Sequence, residues 1–381
     1  QLHRLLALAG LVFAGFQRSV GKKGGERTAF ADGALVVDEG GGSIDQFIEV
    51  FQPFLAFLLE PVVLGKSALL DDVLDDLGQW QRCGFLTQAF DQRYLLSIGT
   101  RIVIWSIAAV SLNMILGYGG LVSFGHAVFF GIGGYAVGIL SAHGVSSGWI
   151  QWPVALIAAT LWAALIGALS LRTRGLYFIM ITLAFAQLVY YVGGGLEAYG
   201  ADDGLNISRS RFPGLIDLLD QASFYWLCFV LLCGTLWFCG RFANSRFGHV
   251  IRGAKSNDLR MTALGFPVFQ YRLVAFTLSG TFGGLAGILL ANEGAYISPA
   301  MMSWVKSGDL IVIVVLGGMG TLFGPLYGTI AFFVLEESLK PLLDLFNKGW
   351  GEYWQIVFGP MLVLIALYAR GGIDSLFGRR P

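Results

Sequence analysis

Charge is what this chain of 381 residues has least of: Lys, Arg, Asp and Glu together make up 13%, where soluble domains run near ~25%. Between residues 102 and 196 only Arg172 and Arg174 are charged. No water-facing globular surface can be built from that stretch. The 25 basic and 25 acidic residues cancel, which excludes the strongly basic field of a nucleic-acid binder. Cysteine is scarce too. Four residues without metal-ligand spacing exclude both a disulfide framework and a cysteine metal site. Cys228, Cys233 and Cys239 fall inside one apolar run and read as buried apolar side chains. Catalytic sets are missing as well: there is no HExxH, no GxSxG with partner acids and bases, no pair of intramembrane Asp and no Walker A sequence. The chain therefore holds no ATP site. His126 is the titratable side chain that stands out inside the apolar runs, and it reads as a histidine tucked into a helix start and hydrogen-bonded there.

What the chain does have is apolar bulk and glycine: 55% hydrophobic residues, 30 Phe, 10 Trp and 53 Gly. A helix needs ~20 mostly apolar residues to cross a bilayer core of ~30 Å. Uncharged or nearly uncharged runs of about that size fall at 102–118, 121–141, 152–171, 175–196, 223–240, 272–292, 308–338 and 354–369. Ten-residue alternating strands are absent, so the spans are helical. The fold class expected is an all-α polytopic membrane protein with about 8 to 10 transmembrane helices.

Lys and Arg in short loops set orientation. Residues 241–272 carry Arg241, Arg246, Arg252, Lys255, Arg260 and Arg272 against Asp258, which assigns this loop to the cytoplasm. The turn at Arg172 and Arg174 and the basic tail at 376–381 are assigned there too. The loop at 197–222, with Glu197, Asp202, Asp203, Asp217 and Asp220, is assigned to the outside. Parity then requires the run at 308–338 to be two elements. Its 31 residues would make one helix of about 46 Å, and its middle holds Gly317, Gly318, Gly320, Gly324 and Pro325, which can break a helix.

A second glycine-rich break lies at Gly117, Gly119, Gly120 and Gly125. It aligns with 316–324 with one gap, which suggests an internal repeat. Broken backbone at membrane depth must be buried in protein or line a wet cavity, and paired breaks point to a translocation path. Gly280, Gly283, Gly284 and Gly287, and Gly320, Gly324 and Gly328, recur at four-residue spacing, the pattern of closely packed helix faces in lipid.

Within the basic loop, residues 256–267 read as a short helix: Ser256 or Asn257 as N-cap, Asp258 in the first turn, Gly265 as the stop and Pro267 beyond it. So short a helix needs a partner surface. Leu259, Ala263 and Leu264 offer a small apolar face, with docking to a protein favoured over lying on lipid headgroups.

The run 111–135, the segment 174–178, the loop helix ending Ala263-Leu264-Gly265 and the segment 315–328 resemble the permease subunit of bacterial branched-chain amino acid ATP-binding-cassette importers, in the same order and over roughly residues 92–375. The resemblance implies that Leu259, Arg260, Ala263, Leu264 and Gly265 couple to a separate ATPase. It also implies a second, related permease, a periplasmic substrate-binding protein, a place in the bacterial inner membrane, and ATP used by the partner subunit with no cofactor or metal in this chain. Residues 1–91, with a polar glycine-rich stretch at 17–45 and apolar stretches at 5–16 and 47–64, depart from the family's short N-terminal helix and read as an atypical extension. Two alternatives stay open at this point. One is an importer of the same type for urea or another small amide. The other is an ion-coupled secondary transporter, disfavoured because the spans read as almost free of Asp, Glu and Lys.

Overall fold

The computed structural model describes residues 92–212, 218, 220–346, 354, 356–360 and 372–373. The expectations for residues 1–91, for the tail and for most of the run at 354–369 lie outside the described residues. What is described is helical, apart from turns and one two-residue strand pair, and the all-α polytopic fold expected from the sequence is the fold observed.

Helix α1 (Gln92–Asn113) passes into a π-helical turn (Met114–Tyr118), so that Leu96–Tyr118 forms one apolar span of 23 residues. Helix α2 (His126–Ala142) has 17 residues, α3 (Gly148–Ser170) 23, α4 (Leu176–Gly194) 19 and α5 (Gln221–Ala243) 23. Two short helices follow, α6 (Arg246–Ser256) and α7 (Asp258–Ala263), then the 27-residue α8 (Val268–Gly294). After a 3-10 turn at Pro299–Met302 come α9 (Trp304–Gly317) and α10 (Gly324–Phe346). Among the described residues five helices are long and apolar enough to cross a bilayer. With 17 and 14 residues, α2 and α9 reach about 26 and 21 Å, less than a ~30 Å core. Each short helix adjoins one of the two glycine breaks.

Helix α8 is the centre of the bundle and packs against α1, α2 and α3. Glycine lets it do so. A methyl group at Gly280 would collide with Ala163, one at Gly284 with Ala159, and one at Gly287 with the Phe130 carbonyl. Backbones come this close only where side chains are small. Along α3, Ala155, Ala159 and Ala163 are buried while Ile157, Leu161 and Leu165 are exposed. That split gives α3 one face for protein and one for lipid tails.

Charge at the loops agrees with their placement. The Arg174 guanidinium lies 3.2 Å from Asp258, which brings the turn at 172–174 and the loop at 241–272 to one end of the bundle. At the other end Leu205–Asn206 pairs antiparallel with Tyr296–Ile297. There Ser210 donates to Gln151 at 2.5 Å, and its amide donates to the Asn292 side chain at 2.8 Å. These buried polar groups tie the acidic loop to α3 and α8.

Three expectations need correction. Gly320 precedes α10, so only Gly324 and Gly328 share a helix face; Gly320 serves a turn instead. Cys233 is exposed on α5, unlike the buried Cys228 and Cys239, because it stands about 140° round the helix from Cys228 whereas Cys239 returns to the same face. The apolar run at 121–141 starts its helix only at His126, the residues before it being taken up by the first break.

Candidate functional site: two helix breaks joined above a basic loop

In the first break the backbone of α1 widens into the π turn, a deformation that frees carbonyls from the regular ladder. Gly120 follows with φ +68°, a conformation side chains rarely adopt. Gly119 has no room for a Cβ, which would stand 2.6 Å from the Ile115 carbonyl. Gly125 lies against α4, where a Cβ would stand 2.6 Å from the Thr182 carbonyl. The chain then re-forms as α2 at His126. That histidine is buried, and its Nε2 stands 2.8 Å from Ser111 Oγ of α1. It is the structural histidine expected at a helix start, held by a neighbouring helix.

The second break follows α9. Gly318 has φ +125° and Gly320 φ +81°. Thr321 closes the turn, accepting from the Gly324 amide at 3.1 Å and donating to the Gly318 carbonyl at 3.1 Å. Pro325 sits in the first turn of α10, where its missing N–H costs no hydrogen bond. A Cβ at Gly317 would collide with the Gly324 carbonyl, so α9 and α10 pack back to back at this point.

The two breaks touch. Asn113, the last residue of α1, donates from Nδ2 to the Thr321 carbonyl at 2.8 Å and accepts at Oδ1 from the Gly320 amide at 2.9 Å. One buried side chain thus satisfies a donor and an acceptor that helix interruption leaves without partners. A Cβ on Gly117 would stand 2.5 Å from the Gly320 nitrogen. Glycine is required there because the two backbones meet.

Below this junction lies the basic loop. Lys255 of α6 donates from Nζ to the Gly117 carbonyl at 2.7 Å, and its stem lies over Gly120. Arg252 stands 5.8 Å from the Tyr118 ring centre and donates to the Ala243 carbonyl. Helix α7 is capped by Asn257, which accepts from the Arg260 amide at 2.9 Å, and is followed by Gly265 at φ +88°. Both features match the short helix read from the sequence. Asp258 anchors it, with Oδ2 3.2 Å from both Arg174 and Arg272.

The sequence-derived residues therefore divide into two sets. Gly117, Gly119, Gly120, Gly125, Gly317, Gly318, Gly320, Gly324 and Pro325 form or flank the joined breaks. Leu259, Arg260, Ala263, Leu264 and Gly265 lie on the surface of the loop, with Leu259 76% and Leu264 67% exposed. The link between the sets is Lys255, which the sequence marks only as one cation among several. Asn113 was missed as well, although an amide inside an otherwise apolar run is a signal that could have found it.

A second omission is larger. Lys306 and Asp309, 3.5 Å apart, lie on α9, and Lys340 and Glu336, 2.8 Å apart, lie on α10, which packs against it. All four charges lie on α9 and α10, outside the five membrane-length spans among the described residues. The pairs escaped notice because Lys306 and Lys340 flank the apolar run at 308–338, and Asp309 and Glu336 sit at its ends. Among the described residues no group of His, Cys, Asp or Glu is placed to hold a metal ion.

A bundle with five membrane-length helices and two glycine-rich breaks joined above a braced basic loop is the arrangement of a polytopic membrane permease. Residues 94–366 match the family model described as branched-chain amino acid transport system / permease component, and the chain belongs to that family. It is 28% identical over 305 residues, 74% of this chain and 70% of the relative, to the high-affinity branched-chain amino acid transport system permease protein LivM of Escherichia coli (strain K12). It is 27% identical over 302 residues to the protein of the same name from Salmonella typhimurium, covering 73% of this chain and 69% of the relative. A match of 30% over 203 residues, 50% of this chain and 56% of the relative, joins it to the autoinducer 2 import system permease protein LsrC of Klebsiella pneumoniae. No solved structure gives a significant match. The chain is a multi-pass inner-membrane protein and a permease subunit of an ATP-binding-cassette importer.

Proposed function

We propose that this subunit forms, with a second related permease, the path by which branched-chain or similar amino acids cross the inner membrane. A periplasmic binding protein delivers the substrate and separate ATPase subunits supply the energy. The observation that carries this reading is the contact from Lys255 to the Gly117 carbonyl. It joins the loop bearing the exposed Leu259 and Leu264 to the first break, and through Asn113 to the second. An ATPase seated on Leu259, Ala263 and Leu264 would move α6 and α7 as a unit, because Arg272 bonds both Asp258 and the Ala254 carbonyl. That displacement is applied to the backbone where two helices are already interrupted. The absence of an ATP-binding sequence supports the division of labour: energy enters at the loop, and this chain has no catalytic step of its own.

The substrate class follows from the LivM relatives, while relatives such as LsrC serve other import systems. Uptake of labelled leucine, isoleucine, valine and urea, compared between the parent strain and a strain lacking this gene, tests it. Loss of branched-chain amino acid uptake with urea uptake intact is the expected result. The reverse pattern would replace the substrate.

A further inference from the structure

We propose that Lys306 and Asp309, at the start of the half-helix α9, form a recognition site for the paired charges of an amino acid zwitterion inside the membrane. This rests on the importer reading above and names the groups that would hold its substrate.

Depth comes first. The Lys306 ammonium lies 5.4 Å from the ring centre of Trp105, a buried residue near the middle of the span Leu96–Tyr118. The neighbouring Ser307 hydroxyl accepts from the Ala127 amide at 2.9 Å, at the inner start of α2. Lys306 therefore lies over an aromatic face level with the middle of that span. Yet its side chain is 46% exposed and that of Asp309 27%. Charges left open at this depth cannot face lipid tails; they face a water-filled path or another protein. The side of α9 that carries Asp309 is also open at Val305, one turn earlier and 46% exposed.

Fit comes second. The two side chains stand 3.5 Å apart, long for an ion pair, and each has bonding capacity left. An amino acid carries a carboxylate and an ammonium on one carbon. Its carboxylate would take Lys306, next to the positive end of the α9 dipole, and its ammonium would take Asp309. The site pairs its own charges when empty and exchanges partners when filled, so no isolated charge is left in a medium of low polarity. A neutral amide such as urea has no matching charges and gains nothing from the exchange.

Val305→Cys, in a background without the four natural cysteines, supplies a probe one turn from Asp309. The purified permease with its ATPase and second permease is treated with an uncharged maleimide, with and without saturating leucine or urea. The expected result is alkylation slowed about tenfold by leucine, the change expected for loss of a charge-assisted contact, and unchanged by urea. That protection should vanish in Lys306→Met/Asp309→Leu, a variant that leaves no unpaired charge. Leucine transport without leucine protection would overturn the site and leave the function standing. Protection by urea instead would overturn the function. A cysteine inert under all conditions would show a face covered by another subunit and would also overturn the site.

Discussion

Lys255 and Gly117, 138 residues apart in sequence, meet through a 2.7 Å hydrogen bond from the lysine ammonium to the glycine carbonyl. The carbonyl belongs to a π turn and the ammonium to the loop that carries the exposed Leu259 and Leu264, so the contact lies between the break and the surface proposed to receive an ATPase. Replacement by Met keeps the stem over Gly120 and removes the donor. Lys255→Met should leave insertion and ATPase association near wild type while lowering uptake per ATP hydrolysed about tenfold, the size expected for a hydrogen bond to a charged group. The ratio of transport to hydrolysis in proteoliposomes measures this. An unchanged ratio would deny Lys255 a part in coupling.

Asn113 holds the second break through both ends of its amide. Asn113→Ala strands the Gly320 amide and the Thr321 carbonyl in a partly buried place, a loss of up to about 1–3 kcal/mol per group. The variant should unfold at lower temperature in detergent, and Asn113→Asp should be no better, because it lacks the donor for Thr321. A melting temperature equal to wild type for both would contradict the joined-break geometry.

Glycine at the junction is a matter of contact. Gly324→Leu would drive a side chain into Thr321 and the Gly318 carbonyl, so folded yield and uptake should both fall. Leu322→Ile keeps volume and should cost under about 1.5 kcal/mol. Comparison of size-exclusion yield and uptake for the two variants checks the difference.

Topology is tested by thiol labelling at positions the structure leaves open. Ser210 is buried between Gln151 and Asn292 and would not react from either side, so the exposed Asp203 is the better outside probe, with Ser256 for the cytoplasm. An impermeant reagent on intact spheroplasts should label Asp203→Cys and spare Ser256→Cys. The opposite pattern would invert the molecule.

Much of this architecture was legible in the sequence, because bilayers demand long uncharged runs and broken helices demand glycine. The runs at 152–171 and 272–292 became α3 and α8, and the span of 308–338 divides where glycine and proline cluster. The cap at Asn257 and the stop at Gly265 were readable for the same local reason. Asn113 and Lys255 were not, since their roles depend on partners 207 and 138 residues away. Lys306 and Asp309 were hidden by a different cause. A charge at the end of a hydropathy window looks like the edge of a span, and only the shortness of α9 shows that its first turn begins deep in the bundle.

The central claim is that a separate ATPase engages the loop helix, and Leu264→Asp tests it most directly. The side chain is exposed in this subunit, so the change leaves the bundle intact, while a charge placed in an apolar interface costs several kcal/mol unless paired. Copurification of the ATPase with the tagged permease is the measurement. The account predicts normal membrane insertion with the ATPase lost from the complex and uptake abolished. Wild-type recovery of the ATPase with Leu264→Asp would contradict it.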